Sequence, residues 1–127
     1  MKKEKFHIEY VFDKASKTNL WNYISTPSGL SEWFADDVTT TENIFTFIWN
    51  NYSNEAEIVA VNPENFIRFR WIEDETEETY FEFRLHKIEL TGGITLEIVD
   101  FADPGEKEEA ITLWENEIKI LKRILGI

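Results

Sequence analysis

Between Asp37 and Phe101 the chain runs through six stretches rich in β-branched and aromatic residues, at 37–42, 44–49, 55–62, 66–72, 79–90 and 94–101. Asn, Gly, Pro or acidic clusters separate them, and none of the gaps can hold a helix. Parallel strands need a crossover of roughly a dozen residues or more, so strands joined this tightly pair as antiparallel hairpins. A further strand precedes them. From Phe6 to Asp13 the alternation is strict, with Phe6, Ile8, Tyr10 and Phe12 on one side and His7, Glu9 and Asp13 on the other.

Helical signals fall in only two places. Ser16 is placed to cap a short helix carrying Leu20, Trp21 and Ile24, and Thr26 followed by Pro27 starts a second through Leu30 and Trp33. At the C-terminal end Asp103, Pro104 and Glu106 suit the N-cap, first-turn and capping-box positions of a helix that stops at Gly126. Such a helix is about 30 Å long at the usual rise per residue. Ile111, Trp114, Ile118, Leu121 and Leu125 recur along it at three- and four-residue spacing, flanked by Leu113, Ile120 and Ile124. A sheet with one apolar face and a helix with one broad apolar stripe must bury each other. The expected architecture is α+β: a curved antiparallel sheet of about seven strands around a long C-terminal helix, with two short helices after the first strand. Residues 1–127 are read as one domain, without an internal repeat or linker.

Composition narrows what such a domain can do. A formal charge of −12 repels polyphosphate and anionic lipid surfaces, which argues against a nucleic-acid partner. The longest apolar run is four residues, 58–61, and no membrane insertion is expected. The lysines at the N-terminus lead into alternating residues and not into a signal-peptide core. With no cysteine, disulfides and thiolate-held metals are ruled out, and a cytoplasmic location is expected.

Few residues offer chemistry. His7 lies opposite the apolar side of its strand, where it is solvated. Around His86 the apolar parity switches from Phe81, Phe83 and Leu85 to Ile88 and Leu90, which suggests a β-bulge near His86 and Lys87. The acidic run at 73–78, EDETEE, lacks the alternating ligands and glycine turn of a calcium loop and reads as a solvated hairpin tip. Asp36 and Asp37 mark a helix exit and a strand start. No phosphate-binding glycine loop, nucleophile elbow or histidine–carboxylate metal spacing occurs. No catalytic residue, cofactor or metal site is therefore expected. The aromatic residues are the candidates that remain, and an apolar chamber lined by Trp33, Phe34, Phe47, Trp49, Ile58, Phe69, Trp71, Phe83, Trp114 and Ile118 is expected between sheet and helix. Ala56 and Ala60, read on the same inner face, would leave space within it. The same rings could equally pack together as a filled core.

Three stretches carry a family likeness: LWNYISTPSGLSEWFADDV from Leu20 to Val38, IVAVNPENFIRFRW from Ile58 to Trp71, and Trp114 in the last helix. They resemble the START-like (SRPBCC) superfamily, and within it the small bacterial domains related to the heat-shock-protein ATPase activator. The asparagine-proline turn, here Asn62-Pro63, precedes an aromatic strand holding Phe69 and Trp71, and the Trp33-Phe34 pair closes the second short helix. Two features depart from the family pattern: no double glycine precedes the third strand, and Leu113 stands where relatives carry glycine. The resemblance implies the helix-grip fold and a cavity mouth near Trp33 and Phe34. It also implies a choice of roles: binding an apolar small molecule or lipid-like ligand, acting on a protein partner or a second copy as a co-chaperone does, or, least favoured, cyclase-like catalysis.

Two expectations of packing follow. With the hairpin turn centred on Thr76, Trp71 pairs with Phe81, Phe69 with Phe83 and Ile67 with Leu85 inside, while Arg70 faces Glu82 in solvent. Trp114→Ala should cost about 3–5 kcal/mol, as loss of a buried aromatic does. Chemical denaturation measures it, and a cost below about 1 kcal/mol would place Trp114 on the helix's exposed side.

Overall fold

A computed structural model describes residues 2–74 and 78–127. The elements are β1 (Glu4–Phe12), α1 (Lys17–Ser25), α2 (Pro27–Trp33), β2 (Asp37–Thr41), β3 (Ile44–Trp49), β4 (Tyr52–Asn62), β5 (Phe66–Trp71), β6 (Phe81–Lys87), β7 (Ile94–Ala102) and α3 (Lys107–Leu125). All seven strands form one antiparallel sheet in the order β1-β7-β6-β5-β4-β3-β2. The strand holding Phe6 thus joins the far edge, beside the last strand, and the curved sheet wraps α3.

Local chemistry sets the short helices. The Ser16 hydroxyl accepts from the Asn19 amide at 3.0 Å, and the Thr26 hydroxyl accepts from the Gly29 amide at 3.0 Å. Gly29 is required where α2 crosses α1, since a Cβ there would lie 2.1 Å from the Asn22 carbonyl oxygen. The start of α3 differs from expectation. Gly105 has φ +85°, a left-handed conformation that interrupts any helix begun at Asp103. Residues 103–106 form a turn instead, closed by the Glu106 amide on the Asp103 carbonyl, and α3 begins one residue later with no side-chain cap. Its end is as expected: Gly126 is left-handed and its amide reaches back to Arg123.

The inner face carries Phe6, Phe12, Phe45, Phe47, Ile67, Phe69, Phe81, Phe83, Leu96 and Ile98, all nearly fully buried against Trp114, Ile118 and Leu121 of α3. The bulge lies elsewhere than expected. The β6–β7 ladder runs unbroken from Glu82 to Lys87, and the change of parity after His86 reflects the end of β6, where residues 88–93 turn. The register shift falls instead in β4 between Ile58 and Ala60. One extra residue there pairs Ala60 with Arg68, on the outer face, so Ala60 leaves no space inside.

The β5–β6 hairpin also differs. Observed pairs are Phe69 with Phe81, Ile67 with Phe83 and Arg68 with Glu82, two residues away from the expected register. A two-residue slip preserves the face of every side chain, which is why hydrophobic pattern alone could not detect it. Thr76, the expected turn centre, lies outside the described residues. The charge partner changes as well: Glu82 is bound by Arg68 at 2.7 Å and Arg84 at 2.5 Å, not by Arg70. Glu82 is buried, against the expectation of solvent, because the Arg68 guanidinium lies over Tyr80 and that of Arg84 over Phe66, together roofing the carboxylate.

Glu82→Ala should therefore cost about 1–3 kcal/mol, since it leaves two partly covered guanidinium groups without their acceptor. Phe83→Ala should cost about 3–5 kcal/mol. Urea denaturation beside the exposed control Glu89→Ala measures both. Equal effects of Glu82→Ala and the control would mean that water replaces the carboxylate freely.

Candidate functional site: the aromatic grip

The candidate residues do converge. Trp33 ends α2 with its indole N–H donating to the Tyr23 carbonyl at 2.8 Å, which fixes its ring toward the sheet. Phe34, the next residue, is the hub. Its ring lies 5.1 Å from Phe47, 5.8 Å from Trp49 and from Phe81, 6.2 Å from Phe83, and 5.6 Å from Trp114, on which it stacks at 15°. The Trp49 indole donates to the Phe34 carbonyl at 3.2 Å, tying β3 to the end of α2. Phe47, Phe69, Phe83 and Ile118 are fully or almost fully buried, while Trp49, Ile58 and Trp71 are half-buried.

Sequence reasoning passed over two members. Phe81 stacks on Phe69 at 5.0 Å and meets Trp71 at 4.8 Å, a central position assigned in sequence only to pairing. Tyr10 sits on the inner side of β1, and its hydroxyl is buried with no hydrogen-bond partner. Desolvation, with Glu115 adding repulsion, pushes that hydroxyl up to about 12. Its alternation with Phe6, Ile8 and Phe12 had put it on the apolar side of β1, but not among the lining residues.

Two carboxyls border the rings. Asp100 accepts from the Trp114 indole at 2.9 Å and from the Phe101 amide at 2.7 Å. Burial raises it from 3.8 to about 6, although both hydrogen bonds pull the other way. Glu117, one turn along α3 from Trp114, is raised from 4.5 to about 7 by burial and by Asp36 at the exit of α2. Asp100 therefore anchors the helix, and Glu117 faces Asp36 at the α2–α3 seam.

The other candidates lie away from the grip. His7 and His86 are exposed on the outer face, each against Glu97. Of the acidic run, Asp74 accepts from the Thr79 hydroxyl at 2.6 Å, and residues 75–77 lie outside the described residues. Asp36 and Asp37 are exposed where α2 gives way to β2. Among the described residues no helix is long and apolar enough to cross a membrane.

A seven-stranded antiparallel sheet closed on a long C-terminal helix, with aromatic rings between them and two short helices at the rim, defines a helix-grip domain. The family model for the START-like superfamily domain matches residues 1–127, and the chain belongs to that superfamily. A Bacteroides fragilis protein solved by solution NMR is 42% identical, with 100% of this chain and 94% of that one covered and a TM-score of 0.71. Two more distant structures share the fold. The Aha1 dimer from Colwellia psychrerythraea is 16% identical, covering 98% and 97%, with a TM-score of 0.81. CalU16 from Micromonospora echinospora is 18% identical, covering 95% and 75%, with a TM-score of 0.73. None of the curated proteins compared matches the chain.

The raised carboxyls make stability depend on pH. Folding favours the protonated forms of Asp100 and Glu117, so their contribution is fully present below about 4 and is lost as pH rises through about 6 and about 7. The melting temperature should fall between about pH 5 and about pH 8, and Glu117→Gln should flatten much of that fall. Thermal melts across this range test it, and a slope unchanged in Glu117→Gln would show that Glu117 is fully hydrated.

Proposed function

We propose that this START-like domain is a cytoplasmic binding module that holds an apolar small molecule or lipid-like ligand between its sheet and α3. The observation that carries the reading is Phe34, whose ring touches β3, β6 and α3 rings at once. Swinging it aside uncovers Phe47, Phe81, Phe83 and Trp114 without disturbing a ladder hydrogen bond. Trp33 and Trp49 frame this mouth, with Ile58, Phe69, Trp71 and Ile118 as the remaining lining.

The unpartnered Tyr10 hydroxyl, on the inner side of β1, is the polar group we assign to meet the ligand. A buried hydroxyl without a partner costs about 1–3 kcal/mol, which a ligand carbonyl or hydroxyl would recover. Burying about 300 Å² of ligand at ~25 cal/mol per Å² contributes several kcal/mol before binding entropy is subtracted, in keeping with micromolar affinity.

A second reading, an interaction domain with a filled core, is favoured by the mutual ring contacts and by α3's outer side. Leu113, Ile120 and Ile124 are exposed there by 65%, 38% and 38%. The similar Colwellia protein is a dimer, and a second copy of this chain would suit that stripe.

Native mass spectrometry of freshly purified protein, a Nile red titration and light scattering separate the two. The ligand reading expects one bound small molecule per chain or saturable one-to-one dye binding, weakened about 5–10-fold toward the co-purified ligand by Tyr10→Phe. Absence of both, together with a dimer that Ile120→Glu dissociates, would overturn it and assign function to the outer side of α3.

A further inference from the structure

The only two histidines of the chain meet at one carboxylate. On the outer face of the sheet, His7 Nδ1 of β1 lies 3.2 Å from Glu97 Oε2 of β7, and His86 Nε2 of β6 lies 3.0 Å from Glu97 Oε1. Glu9 of β1 stands directly across the ladder from Glu97. Like charges directly opposite on antiparallel strands are destabilising, so this pair calls for positive charge between them. Arg84, the partner of Glu97 on the other side, is turned to Glu82 at 2.5 Å and makes no ion pair with Glu97 among the described residues. Among the described residues the ion pairs of Glu97 are with the two histidines alone.

The ligand atoms of His7, Glu9 and Glu97 all lie within 4.8 Å of one another. Bonds of about 2.0–2.2 Å to a tetrahedral cation set neighbouring ligand atoms about 3.3–3.6 Å apart. The contact of 3.2 Å between His7 and Glu97 is already close to that edge, and rotation of the exposed Glu9 side chain brings in the third ligand. We infer that His7, Glu9 and Glu97 form a binding site for a divalent first-row transition cation of the zinc type, with His86 orienting the Glu97 carboxylate from the neighbouring strand.

An imidazole ligand favours zinc, nickel or copper over magnesium or calcium, and the charge of −12 draws cations toward the surface. Three protein ligands leave a fourth position for water, and exposure of the site keeps the affinity modest. The site lies behind the aromatic grip and stands whether or not the grip takes a ligand.

The test uses the full chain without a polyhistidine tag, stripped with chelator, titrated with Zn²⁺ by calorimetry and with Co²⁺ by visible absorption. One Zn²⁺ per chain and visible Co²⁺ ligand-field bands are expected. His7→Ala and Glu97→Gln should each weaken Zn²⁺ by at least about tenfold, and His86→Ala by a smaller factor of the kind orienting partners give. His7 and His86 are exposed while the Glu97 side chain is 19% exposed, so melting curves without metal are recorded for each variant, and unchanged curves confirm that loss of binding is not loss of fold. No saturable Zn²⁺ uptake by about 1 mM, uptake unaffected by His7→Ala and Glu97→Gln, or equal uptake of Mg²⁺ would overturn the assignment.

Discussion

Trp114 fixes α3 against the sheet in both position and rotation. Its indole N–H is held by Asp100 on β7, one face of its ring stacks on Phe34, and its edge meets Phe83 on β6 at 5.7 Å. Successive residues on a helix are separated by about 100°, so sliding α3 by one residue would break the hydrogen bond and both ring contacts together. Because those contacts come from three separate elements, no single movement of sheet or short helix compensates. The same constraint leaves Leu113, Ile120 and Ile124 outside and places Glu117 against Asp36. What is buried and what is displayed on this helix thus follow from one side chain.

The outer face of the sheet is organised around charge. Glu82 would be costly to bury alone, and two arginines with their aromatic partners make its burial tolerable. That arrangement joins β5 and β6 where their ladder is short and the connection after Trp71 is long. It also explains how a face with little apolar area holds register: Arg68, Glu82 and Arg84 can meet only when Arg68 stands opposite Glu82.

Fold class, the antiparallel pairing of successive strands and the inner face were legible in the sequence because each rests on a period or a short connection that survives modest errors, whereas the place of β1 beside β7 was not. Alternation placed Phe47, Phe69 and Phe83, and helical spacing Trp114, on the buried side without knowledge of which strand neighbours which. Register was not legible in the same way, since the slip from Phe69–Phe83 to Phe69–Phe81 moves every residue by two and changes no face. Ala60 was misplaced for the opposite reason: a bulge changes parity by one, and nothing in IVAV distinguishes a continuous strand from a bulged one. The position of Gly105 could have flagged the later start of α3, but glycine tolerates helical angles, and only its positive φ decides. Alternation put His7 and Glu9 on one side of β1, but their grouping with Glu97 and His86 left no sequence trace, because it depends on β1 and β6 both flanking β7.

The return of β1 to the edge beside β7 puts the two faces of that strand to separate use. β1 reaches β7 only after the whole meander has turned, and their ladder then pairs nine positions without a shift. Along that ladder Phe6, Ile8 and Tyr10 point toward α3 while His7 and Glu9 point away, so one strand contributes to the grip and to the outer cluster at alternate residues. Strand geometry separates neighbouring side chains onto opposite surfaces, which lets selection change one set without repacking the other. Such separation has a limit at the edges. Tyr10 and Glu9 share a peptide bond, and any shift of β1 along β7 that improved the hydroxyl's contacts would carry Glu9 away from Glu97. The unmet hydroxyl inside and the opposed carboxylates outside are therefore fixed by the same register, and each persists because the buried Phe6 and Phe12 on either side hold that register in place.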